Sequence, residues 1–103
     1  QWQAQNFAKP QLHHKPYAEV VGDLRTLCSG SDAEVREDFL RKLTQCAGLD
    51  GTPVVLLDHL KFLEVKLRNE QDQIRGGVLE ELGTAIPPEV WSEEHVPVLK
   101  SLL

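Results

Sequence analysis

Histidine is the residue type whose spacing first raises the question of metal chemistry in this sequence. His13 and His14 are adjacent, and in an extended segment neighbouring side chains point to opposite sides, a poor geometry for holding one ion. Asp58 and His59 are also adjacent, and on a helix they face different directions. We therefore predict no metal site, and we expect His59 to lie at a helix surface or boundary.

A cysteine beside a histidine would offer a second kind of chemistry, a nucleophile with its general base. Such a pair requires Cys28 or Cys46 next to a histidine such as His59 in the folded chain, with a third group orienting the imidazole. Nothing in the spacing specifies that arrangement. The pair Gly76-Gly77 lacks the lysine and the Ser or Thr of a phosphate-binding loop. The sequence therefore predicts no catalytic residue, no cofactor and no enzyme activity.

The two cysteines each fall at an apolar helical position, where a free cysteine behaves as a small buried hydrophobe. Two are too few for a disulfide-rich scaffold. We expect Cys28 and Cys46 to be buried thiols of an intracellular protein, in the cytoplasm or the nucleus. The competing interpretation is a Cys28–Cys46 bridge in a secreted helical ligand.

Charge is divided unevenly along the 103 residues. The chain has 11 Lys and Arg against 16 Asp and Glu, a net charge of −5, and every acid lies at or after Glu19. Residues 1–17 therefore carry +2 and the remainder carries −7. A body of that sign repels phosphate backbones, so we expect no nucleic-acid partner.

The apolar residues are spread through the chain rather than gathered in one run. The longest aliphatic run, Val54 to Leu57, has four residues against the roughly 20 of a transmembrane helix, so no membrane span is expected. A composition of 41% hydrophobic and 26% charged residues is typical of one small globular domain. Because the chain contains no methionine, we expect it to be a fragment or a processed form.

Apolar residues recur at three- and four-residue intervals through the body, a pattern typical of helices. It predicts an all-α fold, a compact bundle-like or orthogonal domain of about five helices over residues 18–103, preceded by an extended arm over residues 1–17. The apolar positions of the five helices are, in order, Val20, Val21, Leu24, Leu27 and Cys28; Val35, Phe39, Leu43 and Cys46; Leu56, Leu60, Leu63 and Leu67; Ile74, Val78, Leu79 and Leu82; and Leu99, Leu102 and Leu103.

Capping residues predict where several of these helices begin and end. Ser31 with Glu34 forms a capping box for the second helix, and Gly48 suits the left-handed residue at its end. Thr52-Pro53 is a cap followed by proline at the first helical position, and that third helix runs to about Asn69. The fourth helix is expected to end at Gly83, and Pro87-Pro88 to open a short turn before the last helix.

The third helix is apolar on more than one side, which is typical of a central helix. If its neighbours cover one face, the rest would form a groove that receives an amphipathic helix. The alternatives are complete burial of the leucines and a core position for the tryptophan. The candidate partner-binding residues are Leu56, Leu60, Phe62, Leu63, Leu67 and Trp91.

The arm carries apolar side chains that a plain linker lacks. Its candidate anchors are Trp2, Phe7, Leu12 and Tyr17, spaced along an acid-free segment with two lysines. This pattern is typical of a short linear motif, and its charge complements the acidic body. We expect the arm to fold back on its own domain or to mediate self-association by docking on a second copy.

Helix order and apolar spacing over residues 18–96 resemble small helical peptide-binding platforms such as the harmonin-homology domain. The resemblance carries no functional residue to this chain. The sequence is interpreted as a non-catalytic domain that binds an amphipathic helix or short linear motif of another protein. The first alternative is a fragment of a larger armadillo- or HEAT-like helical-repeat scaffold, and the second is the secreted ligand.

Overall fold

The computed structural model describes residues 17–103, and within them the chain is all-α with no strand. Five helices are joined by short turns and three 3-10 turns. The helices are α1 (Tyr17–Leu27), α2 (Ala33–Asp50), α3 (Pro53–Lys66), α4 (Asp72–Ala85) and α5 (Val96–Leu102). The 3-10 turns are Leu67–Asn69, Pro88–Val90 and Glu93–His95. The predicted fold class is confirmed.

The ends of α2 differ from those predicted. Asp32, not Ser31, caps its start, because the Asp32 carboxylate accepts hydrogen bonds from the backbone nitrogens of Glu34 and Val35 at 2.9 and 3.1 Å. The helix continues past Gly48 and ends at Asp50, where Gly51 takes the left-handed conformation with φ of 71°. The left-handed position expected at Gly48 therefore belongs to Gly51, whose backbone nitrogen donates to the Ala47 carbonyl oxygen.

The start of α3 is as predicted. The Thr52 hydroxyl accepts a hydrogen bond from the Val55 nitrogen, and Pro53 occupies the first turn. Helix α4 ends at Ala85, two residues beyond the predicted Gly83, because the Thr84 hydroxyl and the backbone keep the last turn helical. The turn at Pro88 and the last helix at Val96 are confirmed.

The core is built around α2, which packs against α1, α3 and α4, while α5 packs on α3. The central position predicted for α3 is thus taken by α2. Leu40, Leu43 and Cys46 of α2 are buried, whereas Val35 of the predicted stripe is exposed. The main contributions from the other elements are Tyr17, Val20, Leu24, Cys28, Leu56, Leu60, Leu63, Leu67, Ile74, Val78, Leu82, Ile86, Val90 and Leu102.

Tyr17 was predicted to be the last anchor of the arm, and the structure places it in the body. It is the first residue of α1 and its side chain is only 3% exposed. The predictions for Trp2, Phe7 and Leu12 lie outside the described residues. At the other end of the chain, Leu102 packs into the core and Leu103 is exposed.

An ion pair fastens the start of α2 to the connection before α4. The Arg36 guanidinium meets both Glu70 carboxylate oxygens at 3.0 Å, and its third nitrogen donates to the carbonyls of Gly30 and Ser31. The hydrogen bonds from Arg36 hold the pKa of the Glu70 carboxyl below its usual range. Among residues 17–103 no helix is long and apolar enough to cross a membrane.

Candidate functional site

Helices α2 and α4 are in backbone contact at their carboxyl ends. Gly48 lies in the last turn of α2, and a Cβ atom built on it would be 2.2 Å from the Ala85 carbonyl oxygen. Only glycine permits this backbone contact, because any side chain would collide with the backbone of α4. The chain after Ala85 then leaves in an extended conformation through Ile86 and Pro87.

A surface groove lies over this contact. It has a volume of about 460 Å³, which falls in the range of roughly 300–1,000 Å³ found for ligand pockets. The Leu49 side chain at the groove is 65% exposed. The groove is lined by Gln45, Gly48, Leu49, Glu81, Thr84, Ala85 and Pro87.

The lining of the groove contains one charged side chain, that of Glu81. Glu81 accepts from Arg41 at 3.1 Å and from the Gln45 amide at 3.3 Å, and the same guanidinium also pairs with Glu37. The Arg41 guanidinium is thus shared among three carboxylates, since Glu80 also lies within 3.9 Å of it. Residues 76–99, which contain α4 beyond its first turn and the chain that follows it, have five Glu and no Lys or Arg. That stretch of the chain therefore carries a net negative charge.

The end of the bundle beside the groove is held by His95, which is fully buried. Its Nδ1 atom accepts from the Ser92 backbone nitrogen at 2.9 Å. Its Nε2 atom lies 2.9 Å from the Pro53 carbonyl oxygen, and because a carbonyl only accepts, Nε2 donates. Trp91 stands edge-on to this imidazole, with ring centroids 5.9 Å apart. Both ring nitrogens of His95 therefore serve to fix the chain after α4 on the start of α3.

The leucines predicted as partner-binding residues do not line this groove. Leu56, Leu60, Leu63 and Leu67 are buried in the core, so their side chains contact neighbouring helices and are not available to a partner. Their complete burial was the alternative interpretation, and it holds. The remaining two candidates, Phe62 and Trp91, are half-buried and pack against the core.

Phe62 is covered by a cation rather than left open for a ligand. The Arg25 guanidinium carbon lies 4.6 Å from the centre of the Phe62 ring, and an Arg25 nitrogen donates to Asp58 at 2.8 Å. Tyr17 also donates to Asp58, at 3.3 Å. This cluster joins α1 to α3 and closes the face of α3 on which we expected a groove.

A buried hydroxyl and imidazole lie beneath that cluster. The Thr44 Oγ1 and His59 Nε2 atoms are 2.7 Å apart, a distance at which a nucleophile and its base would also stand. The Thr44 hydroxyl, however, lies 2.9 Å from the Leu40 carbonyl oxygen and gives its one proton there. His59 Nε2 is consequently the donor, and both side chains are completely buried, so the pair is a hydrogen bond of the core.

The predicted surface or boundary position of His59 is wrong, because its side chain is completely buried. Its imidazole lies between the rings of Tyr17 and Phe62, where burial, assisted by the Arg25 charge, lowers its pKa to about 3. The side chain is therefore neutral at physiological pH. Its Nδ1 atom has no hydrogen-bond partner among the described residues.

The cysteines and acidic residues of residues 17–103 form no metal centre. No group of three His, Cys, Asp or Glu side chains in this range could hold an ion. Cys28 and Cys46 are buried thiols that form no disulfide, as expected, and burial raises the pKa of each to about 11.

The groove was missed at the level of sequence, because Gly48 was interpreted as a helix end. The available signals were a glycine inside a helical pattern and the absence of Lys and Arg over residues 76–99. Comparison of the chain with protein-family models, with curated proteins and with solved structures finds no match.

Proposed function

We propose that this domain is a non-catalytic interaction module that binds a short segment of another protein in the groove between α2 and α4. The segment, a linear motif or an amphipathic helix, carries a large apolar side chain flanked by Lys or Arg. The observation that carries the proposal is the exposed Leu49 in the lining of a groove with a volume of about 460 Å³. Apolar anchors seated in such pockets dominate the affinity of protein interfaces.

We assign Lys or Arg to the partner segment because of the carboxylates near the groove. Glu81 lies in its wall, and Glu80 and Glu89 belong to the stretch without Lys or Arg. A basic segment is attracted to this surface from a distance and an acidic one is repelled, and salt weakens both effects. Charge therefore selects among apolar segments that fit the groove equally well.

The proposal is tested with three synthetic peptides of equal length. The first contains Trp, Leu and Lys, the second replaces its Lys by Glu, and the third replaces its Trp and Leu by Ser. Fluorescence anisotropy of the labelled peptides should give micromolar binding for the first and at least tenfold weaker binding for the other two. Amide chemical shifts in the full chain should change at Gly48, Leu49, Thr84 and Ala85.

A matched pair of variants locates the site. Leu49→Lys places a charge at the groove, and Val65→Lys places one on α3, at a side chain of nearly equal exposure, 64% against 65%. We expect Leu49→Lys to weaken binding of the first peptide at least tenfold. Val65→Lys should change the affinity for this peptide less than twofold. Equal weakening by the two variants, or shifts confined to another face, would disprove the proposed site.

A further inference from the structure

Tyr17, the first described residue, is connected through two contacts to the helix that lines the groove. Tyr17 is buried, with its ring 6.3 Å from that of His59, and His59 is hydrogen-bonded to Thr44 of α2. Gln45, the next residue of α2, lines the groove. Tyr17 therefore lies one helix away from the groove, at the level of the same turn of α2.

The length of residues 1–16 is sufficient to cross that helix. An α-helix with its side chains is about 10–12 Å wide, so a path over half of its circumference is roughly 20 Å. Ten residues separate Phe7 from Tyr17 and span up to about 33 Å when extended. Phe7 can therefore reach the groove, and Trp2 has a further five residues of reach.

Residues 1–16 have the charge and the apolar side chains that we propose for the partner segment. Residues 1–16 contain no Asp or Glu, the two lysines Lys9 and Lys15, and the large apolar residues Trp2, Phe7 and Leu12. The groove lining contains the Glu81 carboxylate and no Lys or Arg, and Leu49 is exposed there. Charge and apolar character thus complement each other between two parts of one chain.

From the reach and this complementarity we infer that residues 1–16 occupy the groove of their own molecule and compete with the partner segment. This inference rests on the proposed function, since it names the same site. Attachment to the body gives the segment an effective concentration in the millimolar range, far above that of a second copy in dilute solution. Occupation in cis is therefore favoured over docking on another molecule, and it makes the groove autoinhibited.

The first test places a spin label in the segment of the full chain. Gln5→Cys is labelled with a nitroxide, while the native thiols Cys28 and Cys46 are buried. We expect the amide signals of Gly48 and Thr84 to lose more than half of their intensity, independently of protein concentration. A mixture of isotope-labelled protein without nitroxide and unlabelled protein with nitroxide should show no loss.

Two results of this test overturn the inference. Signal loss in the mixed sample shows docking on a second copy, and absence of loss at the groove shows that the segment does not occupy it. Wild-type protein treated with the same reagent controls for any labelling of the native thiols.

The second test measures competition with the Trp, Leu and Lys peptide described above. The double variant Trp2→Ala/Phe7→Ala should bind this peptide about tenfold more tightly than the wild-type chain, because a millimolar internal competitor has been removed. The matched control Gln3→Ala/Gln5→Ala changes polar positions of the same segment and should bind as the wild type does.

The two proposals fail in different ways. If the peptide binds the groove and the double variant binds it no better, competition by residues 1–16 is disproved and the proposed function stands. If the nitroxide broadens the groove signals and the double variant still binds no peptide, the proposed function is disproved, and the competition inferred from it as well.

Discussion

The Thr44 hydroxyl oxygen lies 2.7 Å from Nε2 of His59, with both side chains completely buried. Because the hydroxyl proton is given to the Leu40 carbonyl oxygen, the imidazole must donate, which fixes its neutral tautomer. A positively charged imidazole would have to carry a second proton on Nδ1, which has no acceptor within the described residues. Protonation of His59 would therefore place a charge and an unpartnered N–H group in the core.

We therefore expect acid to destabilise the fold through His59. Burial lowers the pKa of this histidine from 6.5 to about 3, so below pH 6.5 the unfolded chain binds a proton that the folded chain does not. The free energy of unfolding should fall as pH decreases from about 6.5 towards 3, by up to about 1.4 kcal/mol per pH unit. Urea unfolding at pH 7.0, 5.5 and 4.5 measures this slope.

The control for this slope is His59→Asn, which keeps a donor for Thr44 and removes the titrating group. The variant should be less stable than the wild type at pH 7, and its stability should depend less on pH between 6.5 and 4.5. Parallel curves for the two proteins would show that other groups, chiefly carboxylates, cause the acid sensitivity.

Substitution of two helical glycines should have opposite effects. Gly48→Ala forces a methyl group against the Ala85 backbone and should lower the free energy of unfolding by about 1–3 kcal/mol. At Gly76 a Cβ atom would meet no other atom within 4 Å, and Gly76→Ala should stabilise α4 by about 0.5–1 kcal/mol. Denaturant unfolding measures both, and a neutral Gly48→Ala would contradict the close approach of α2 and α4.

Neighbouring residues before α2 should differ in their effect on stability. Asp32→Ala removes the carboxylate that accepts from two backbone nitrogens and should cost about 1 kcal/mol. Ser31→Ala should cost only a few tenths, because the cap belongs to Asp32. Thermal melting of the two variants checks the assignment, and the reverse order would restore Ser31 as the cap.

The two thiols should be slow to react in the folded protein. Burial raises the pKa of Cys28 and of Cys46 to about 11 from 9.0, which lowers the thiolate fraction near neutral pH by about a hundredfold. Reaction with a chromogenic disulfide reagent should therefore be at least a hundredfold slower than in denaturant, where two thiols per chain should titrate. No titratable thiol in denaturant would instead indicate the Cys28–Cys46 bridge of a secreted ligand.

The helices could be predicted from the sequence because their signals are local. Leucine and valine recur at helical spacing, and Thr52-Pro53 marks the start of α3 by the chemistry of two adjacent residues. The capping of α2 was misjudged because Ser31 and Asp32 are both good caps, and geometry decides between them. Apolar spacing also could not tell that the leucines of α3 are covered from all sides.

The groove depends on a contact that no local pattern contains. Gly48 and Ala85 are 37 positions apart, and their approach follows from the way in which α2 and α4 pack. The same holds for His59, whose burial results from the meeting of α1, α2 and α3. In each case a residue that looked like a helix end or a surface position takes its role from distant partners.

We expect the last part of the chain, which His95 attaches to α3, to have a lower local stability than the rest of the fold. Residues 93–102 make their main contacts with α3, and the imidazole of His95 is hydrogen-bonded to Pro53 at the start of that helix. We expect loss of this hydrogen bond to weaken the attachment of the segment, so that it opens as a unit before the other helices unfold. Its amides should then share a common, lower protection against hydrogen exchange, as a cooperative substructure of its own.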